Sequence, residues 1–278
     1  MFFILQKENN CNVLNIEYQI IKELLDKNKY ANTYIETTLD DLKNGVVQKW
    51  VGDMFYNAIP VGTIDFVSIW LNKVHKKTLN PIEIPPCLRT DEFLKRQYKI
   101  VNASQLPQKG KYFIKDVSAL KSFNSNGYTD LSQLHLDDIL YSSQEIEEKI
   151  KNNNDEFAIF LNKDHIYQVS ELVEVLSEYR VYFINGEIEN ISNYNGDCRL
   201  FPDIKLIEKA NLIYSIQKDY PISYTMDVMV NNRGTSIIEI HPFTSIGLYS
   251  SLWGNNLLDA YRDGIDYYTK HNTPLKVT

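Results

Sequence analysis

What this 278-residue chain has little of narrows it first. Cysteine is scarce: Cys11, Cys87 and Cys198 are odd in number, far apart and form no CxxC pair. That excludes a disulfide framework and fits a reduced, cytoplasmic protein. The five histidines are scattered, and no Ser-His-Asp, Cys-His or zinc-ligand set stands out. No stretch approaches the apolar length of a membrane span. The opening MFFILQKENN has no basic segment and too short an apolar run for a signal peptide. Positive charge is in deficit, with 29 Lys and Arg against 36 Asp and Glu, a formal charge of −7 and a pI of about 5.3. A general nucleic-acid or anionic-membrane binder would present a basic surface, so neither partner is expected. A small anionic substrate held by local cations stays compatible. Neither GxxxxGK[ST] nor GxGxxG occurs, so there is no Walker loop and no dinucleotide fingerprint. Internal repeats and low-complexity tails are missing too.

What is present is an ordinary globular balance, 44% hydrophobic and 23% charged, at a length that suits two domains or one domain with a lid. The 19 tyrosines are many, and a share of them belongs in clefts. The N-terminal stretch reads as β-α-β-β-α. Phe2 to Leu5 is a strand. Ile16, Ile20, Leu24 and Leu25 recur at helical spacing behind Asn15 as N-cap. Tyr30 to Thr37 and Val46 to Val51 read as strands, with a helical turn at Asp40 to Asn44 between them. Thr63 to Val74 reads as a helix. Asn80 to Cys87 holds three prolines and marks a linker. Beyond it, Arg89 to Arg96 reads as a short helix and Lys99 to Asn102 as a strand. Lys111 to Val117 is a strand expected to bury Phe113 and end on Lys115. Lys121 to Gln133 is a polar loop, and Ser143 to Lys151 a charged helix. Phe157 to Leu161 and Ile166 to Val169 suggest a hairpin, and Asn185-Gly186 turns a second one. Asp203 to Gln217 and Asn256 to Lys270 are helices.

The segment from Ile222 to Ile246 carries the most chemistry. Two apolar runs flank Asn231-Asn232-Arg233-Gly234, the signature of a hairpin. Side chains alternate faces along a strand. Met226, Val228, Val230, Ile238 and Ile240 then share the core face, and Asp227, Glu239 and His241 share the other. Pairing centred near Arg233 sets Asp227 opposite Glu239. Adjacent carboxylates on the inner half of an apolar hairpin repel and are costly to desolvate. A divalent cation removes both problems, and carboxylate oxygens suit Mg²⁺. A surface hairpin with a solvated acidic face is the alternative.

Other candidates are individually weak. Glu178 and Arg180 share a strand face, which fits a surface ion pair or a guanidinium aimed at phosphate or carboxylate. Glu171-Leu172-Val173 sits among apolar residues, where freed backbone groups could read the edge of an adenine. Lys115 at its strand end either snorkels to solvent or reaches a phosphate.

The order of these pieces is more telling: Lys at a strand end, polar loop, hinge Glu, Glu-x-Arg strand, helix, Asp strand, Glu-x-His. It resembles the ATP-grasp ligase superfamily over about residues 89 to 278. Within it, the chain is most similar to the clade named for two arginines and a lysine, and in layout to ribosomal-protein glutamate ligases. The resemblance implies an α/β (α+β) protein with an N-terminal domain at 1–88, a lid subdomain at 89–170 and a C-terminal subdomain at 171–278. It implies an ATP-dependent carboxylate–amine ligase, acting through an acyl-phosphate on small carboxylate and amine substrates such as an amino acid, a peptide or a protein terminus. Lys115 would contact the ATP phosphates. Glu171, Leu172 and Val173 would hold the adenine and Glu178 the ribose. Asp227, Glu239 and His241 would take the metal-ligand positions for Mg²⁺, or Mn²⁺. Arg180 and Arg199 would be the catalytic arginines, and Lys95, Arg89 or Arg96 an upstream cation. Relatives are often homodimers. Two departures stand out: His241 replaces the usual Asn, and the lid loop has one glycine. They leave room for a nucleotide-binding regulatory module of reduced activity. A small-molecule kinase and an α/β protein without nucleotide are the other readings.

Overall fold

The computed structural model describes residues 1–7, 16–27, 33–77, 79, 84–108, 110–118, 128–130, 140–152, 161–250, 253–254 and 256–270. The expected N-cap Asn15, the start of the Tyr30 strand, most of the proline-rich linker and the Lys121–Gly127 loop lie outside them. Strand β1 (Phe2–Gln6) leads into helix α1 (Ile16–Lys27) and strand β2 (Thr33–Thr37). Helices α2 (Leu39–Lys43) and α3 (Val46–Val51), strand β3 (Ile59–Val61) and helix α4 (Ile64–His75) follow. The three strands are parallel, in the order β2-β1-β3. Val46–Val51 is therefore a helix and not a strand. Its bulky residues Val46, Val47, Trp50 and Val51 fall at i, i+1, i+4 and i+5, which is helical and not alternating spacing. Only Val47 among them is buried. The third strand is Ile59–Val61, too short to show a period of its own. Thr63 caps α4 by accepting from the Phe66 N–H at 3.3 Å.

After a 3₁₀ turn at Pro86–Leu88 come helix α5 (Asp91–Leu94) and strands β4 (Tyr98–Asn102), β5 (Lys111–Asp116), β6 (Tyr128–Asp130) and β7 (Leu140–Tyr141). Helix α6 (Ser143–Asn152), β8 (Leu161–Asn162) and β9 (Ile166–Glu171) complete this stretch. The second sheet runs β4-β9-β5-β6 and is antiparallel. Of the hairpin expected from Phe157–Leu161 and Ile166–Val169, residues 157–160 lie outside the described residues, and Leu161–Asn162 pairs in parallel with β7. The Tyr167–Ser170 run of β9 is buried throughout and bonded on both edges, to β4 and to β5. In β5 it is Ile114 that enters the core, beside Tyr167 and Val169. Phe113, expected there, points from the opposite face with Lys115.

The third sheet contains β10 (Ser177–Ile184), β11 (Glu187–Gly196), β12 (Tyr224–Asn231) and β13 (Gly234–Pro242), antiparallel in the order β11-β10-β12-β13. Helix α7 (Ile204–Ser215) crosses between β11 and β12, and α8 (Asn256–Lys270) follows β13. Tyr179, Val181, Phe183, Met226, Val228 and Ile240 pack on Ile207, Ala210 and Tyr214 of α7. Of the alternate residues, Glu178 and Met229 face the second sheet, while Tyr182 and Ile184 belong to the core built on β1 and α8. A larger core joins Phe3, Ile4 and Leu5 of β1 with Phe243 and with Leu257, Leu258 and Tyr261 of α8. The N-terminal strands thus complete their core with α8.

Helix α8 crosses the chain after β13 at Gly264. A Cβ there would lie 2.0 Å from the Phe243 carbonyl oxygen and 2.5 Å from its carbon. Both are backbone atoms and cannot swing aside. Gly264→Ala should cost about 1–3 kcal/mol, as overpacking does. The check is the urea midpoint, which should fall with an unchanged m-value.

Candidate active site

The reactive groups stand in a row across neighbouring strands. Arg180 of β10 pairs in register with Asp227 of β12, which pairs with Glu239 of β13. Hairpin pairing across Gly234 sets the carboxylates opposite each other, as the alternation predicts. Just beyond, a bulge between Asp227 and Val228 shifts the register, so that Val228 meets Ile237. The extra residue is Ile238. Expected in the core, it is turned onto the acidic face, and Ile237 takes its core place.

Each carboxylate has a cation. Arg180 Nε and Nη2 donate to the two Asp227 oxygens at 2.7 and 2.6 Å. Both residues are buried. Burial opposes the charged guanidinium, but the paired Asp227 outweighs it and raises the Arg180 pKa. Lys115 reaches across from β5 of the second sheet and donates to Glu239 Oε2 at 2.7 Å. His241 Nε2 lies 2.5 Å from Glu239 Oε1. That buried nitrogen has no other partner among the described residues, so its pairing is with the Glu239 carboxylate alone. Burial by itself would raise the Glu239 carboxyl; His241 and Lys115 instead hold it well below its ordinary value. Asp227, Glu239 and His241 offer ligand atoms within 4.8 Å of one another, the set that could hold a cation among the described residues. The two carboxylates fit Mg²⁺ or Mn²⁺, and the His241 nitrogen would join them on release from Glu239.

Between the second and third sheets runs a cleft of about 550 Å³. Phe113, Leu172, Val175, Met229 and Ile238 give it apolar walls. Lys115 and Glu239 stand at its polar side, and Gln168, Ser170 and Glu178 complete the lining. Val173 and Glu171 line it as well. The Glu171 N–H is taken by the Gln97 carbonyl, and its carboxylate by a two-bond pair with Arg233 at 2.8 and 2.6 Å. Arg233 is also the main reason the Glu171 pKa is lowered. The Glu171 N–H is therefore not available to a flat ligand edge.

The structure brings Lys115, Glu171, Leu172, Val173, Glu178 and Glu239 around this one cleft, with Asp227, His241 and Arg180 adjoining. It does not bring Arg199 there. That side chain is 85% exposed and folds back on Asp197 at 2.7–3.1 Å. The second arginine at the cleft is Arg96, whose Nη1 donates to the Ile237 carbonyl at 2.9 Å. Burial lowers its pKa to about 10. Phe113, Gln168, Ser170 and Met229 carried a usable signal, each alternating with a core residue or with Asp227. Ile238 carried none, because a bulge leaves no mark on the pattern.

Two sheets that face each other across a polar-ended apolar cleft, with acidic residues on the floor strands and a lysine overhead, define an ATP-grasp fold. The chain belongs to the ATP-grasp domain family that is numbered second in the clade named for two arginines and a lysine, and that family's model matches residues 93–257. No curated protein matches. Solved structures similar to it include D-alanine–D-alanine ligase from Bacillus anthracis complexed with ATP, at 13% identity and a TM-score of 0.42, covering 98% of this chain and 99% of that one. D-cycloserine synthetase DcsG is 10% identical, with a TM-score of 0.47 and coverage of 97% and 99%. The macrocyclase MdnC from Microcystis aeruginosa, bound with precursor peptide MdnA, is 10% identical, with a TM-score of 0.45 and coverage of 94% and 98%. Likeness at this level says nothing of the reaction.

Asp227→Ala would strand the Arg180 guanidinium in a buried position. The expected loss is about 3–5 kcal/mol, with much of it recovered in the double variant Arg180→Met with Asp227→Leu. Urea unfolding of the single and double variants reads both. A second expectation concerns acid. Glu239 has a folded-state pKa below its ordinary 4.5. Its contribution to stability is complete above that pH and is lost as pH falls toward the folded value. With chelator present, wild-type stability should fall more steeply below pH 4.5 than that of Glu239→Gln; parallel curves would show the ion pairs to be without effect.

Proposed function

We propose that this protein is an ATP-dependent carboxylate–amine ligase, forming an amide or peptide bond through an acyl-phosphate. The observation that carries the reading is the continuity of an apolar cleft with the Asp227–Glu239–His241 donor set, under a lysine from the opposite sheet. The division into an N-terminal domain at 1–88, a lid at 89–170 and a C-terminal subdomain at 171–278 belongs to the same reading.

In this reading the adenine lies between Phe113, Leu172, Met229 and Ile238, its edge on the Leu172–Val173 backbone. Glu178 takes the ribose hydroxyls. Lys115 and Arg96 attract the phosphates, and Asp227, Glu239 and His241 would hold Mg²⁺. When bound, that cation neutralises developing charge on the transferred phosphoryl group. The floor is prepared for this by its pairing. Asp227 and Glu239 already neutralise Arg180 and Lys115, so loading the site exchanges partners and strands no charge.

The substrate carboxylate oxygen attacks the γ-phosphorus, and the bond to the bridging oxygen of ADP breaks. The amine then attacks the acyl carbon, and phosphate leaves. Positioning and charge stabilisation do most of the work. Arg180 Nη1, which Asp227 does not use, is the donor for the acyl oxygen. Arg199, exposed and paired with Asp197, has no part in this scheme, and Arg96 stands at the cleft in its place. Closure of the second sheet over the third shields the acyl-phosphate from water.

The test is phosphate release from Mg·ATP with a panel of amino acids and peptides, read with amide product analysis. Stimulated release with an amide product supports the ligase. A stable phosphorylated product would replace it with a kinase. Lys115→Ala should weaken Mg·ATPγS binding by about tenfold or more, in keeping with loss of a charge-assisted phosphate contact. An unchanged affinity by calorimetry would remove Lys115 from the phosphate site.

A further inference from the structure

One acidic group near the site is used by none of these steps. Glu17 sits in the first turn of α1, far from the floor strands in sequence. Its Oε1 accepts from the Tyr261 hydroxyl of α8 at 2.5 Å, and its Oε2 from the Gly247 N–H at 3.2 Å. Gly247 belongs to the loop that leaves β13 and passes Arg180. At φ +68° it holds a conformation that favours glycine, and a Cβ there would lie 3.8 Å from Arg180 Nη1. The Gly247 carbonyl accepts from the Tyr182 hydroxyl at 3.1 Å, and the Tyr249 N–H donates to that same hydroxyl at 3.0 Å. Ser245 ties the loop to the N-terminal stretch a second time, donating to the Gly62 carbonyl at 2.9 Å.

What the loop carries bears on Arg180 directly. Tyr249 stacks on Tyr194 with ring centroids 5.1 Å apart and planes 23° from parallel. The Arg180 guanidinium lies 5.1 Å from the Tyr249 ring and 5.9 Å from the Tyr194 ring, within cation–π reach of both. Asp227 fixes Nε and Nη2, and the tyrosine pair fixes the plane. Together they decide where the remaining Nη1 points.

We propose that Glu17 is a positioning residue for Arg180: it seats the loop at Gly247, and through it the Tyr194–Tyr249 pair that sets the guanidinium plane. The N-terminal element thereby shapes the substrate side of the site without touching the nucleotide cleft. The inference rests on the ligase reading for what Arg180 does, and on geometry alone for what Glu17 does to it. Burial is the main reason the Glu17 carboxyl is pushed up, with Tyr261 and Gly247 working the other way. A neutral amide of the same shape should therefore serve nearly as well.

The experiment is phenylglyoxal labelling of the full chain, mapped by mass spectrometry, with hydrogen exchange of the amides from Gly247 to Tyr249. Glu17→Ala should raise the Arg180 labelling rate and loop exchange about fivefold or more, the behaviour of a locally released segment. Glu17→Gln should restore both to within about twofold, since it keeps an acceptor for the Gly247 N–H. Tyr261→Phe keeps the packed ring and removes only the donor to Glu17, so it should give an intermediate rise. It decides the matter if Glu17→Ala does not fold. Unchanged Arg180 labelling in a folded variant whose loop exchange has risen would overturn the proposal. So would a parallel rise at Arg96, which would mean general loosening, or a failure of Glu17→Gln to restore Arg180. Mg·ATPγS calorimetry on the same variants reports on the nucleotide site separately. Absent nucleotide binding in wild type, with the Arg180 effect intact, would sink the ligase reading and leave the Glu17 role standing.

Discussion

The buried pair of Arg180 and Asp227 governs how the rest of the site is arranged. Two buried charges are tolerated only when each satisfies the other, and the bidentate geometry does so. That pairing requires β10 and β12 to lie side by side in one register, with their polar residues on the same face. The opposite face must then be apolar, and it packs on α7. The same alternation carries Met229 and Glu178 to the cleft face. One ion pair thus states which side of the third sheet is core and which is floor.

Charge on that floor is arranged in a chain and not as a patch. Lys115 couples the second sheet to Glu239, Glu239 adjoins His241, and Asp227 binds Arg180. The net charge of −7 is irrelevant at this scale, because the cleft balances itself within hydrogen-bonding distance. In the ligase reading, anionic ligands would meet paired cations whose partners can turn to a metal, which keeps the cost of loading the site low. Stronger single-sign charge would attract ligand faster but would be harder to bury when the site is empty.

Much of this was legible in the residues because it follows from period-2 alternation around a marked turn. The Asp227–Glu239 opposition, the shared face of Glu178 and Arg180, and helices α4, α7 and α8 all come from local spacing. Failures came where spacing is silent or ambiguous. Val46–Val51 is β-branched in composition but helical in spacing, and composition was the wrong guide. Ile238 depended on a bulge, and Phe113 on which face of a short strand meets the core. Arg199 is the instructive case at the site. A local Asp-x-Arg turn satisfies it in solvent, while Arg96, without any motif, reaches the cleft through the fold. Glu17 and Tyr249 stand near opposite ends of the chain and could be joined only by the tertiary structure.

The core shared by β1 and α8 has a consequence for how the molecule comes into being. Phe3, Ile4 and Leu5 are synthesised long before Leu257, Leu258 and Tyr261, with which they share one core. During synthesis the opening strands can pair with one another, yet a large part of their apolar cover does not exist until α8 has emerged. Sequence-distant contacts of this kind are slow to form and leave early segments exposed while they wait. Strands β1 to β3 and helix α8 are thus finished in a single late event. The loop that shapes the substrate side, lying between β13 and α8, takes its place only then.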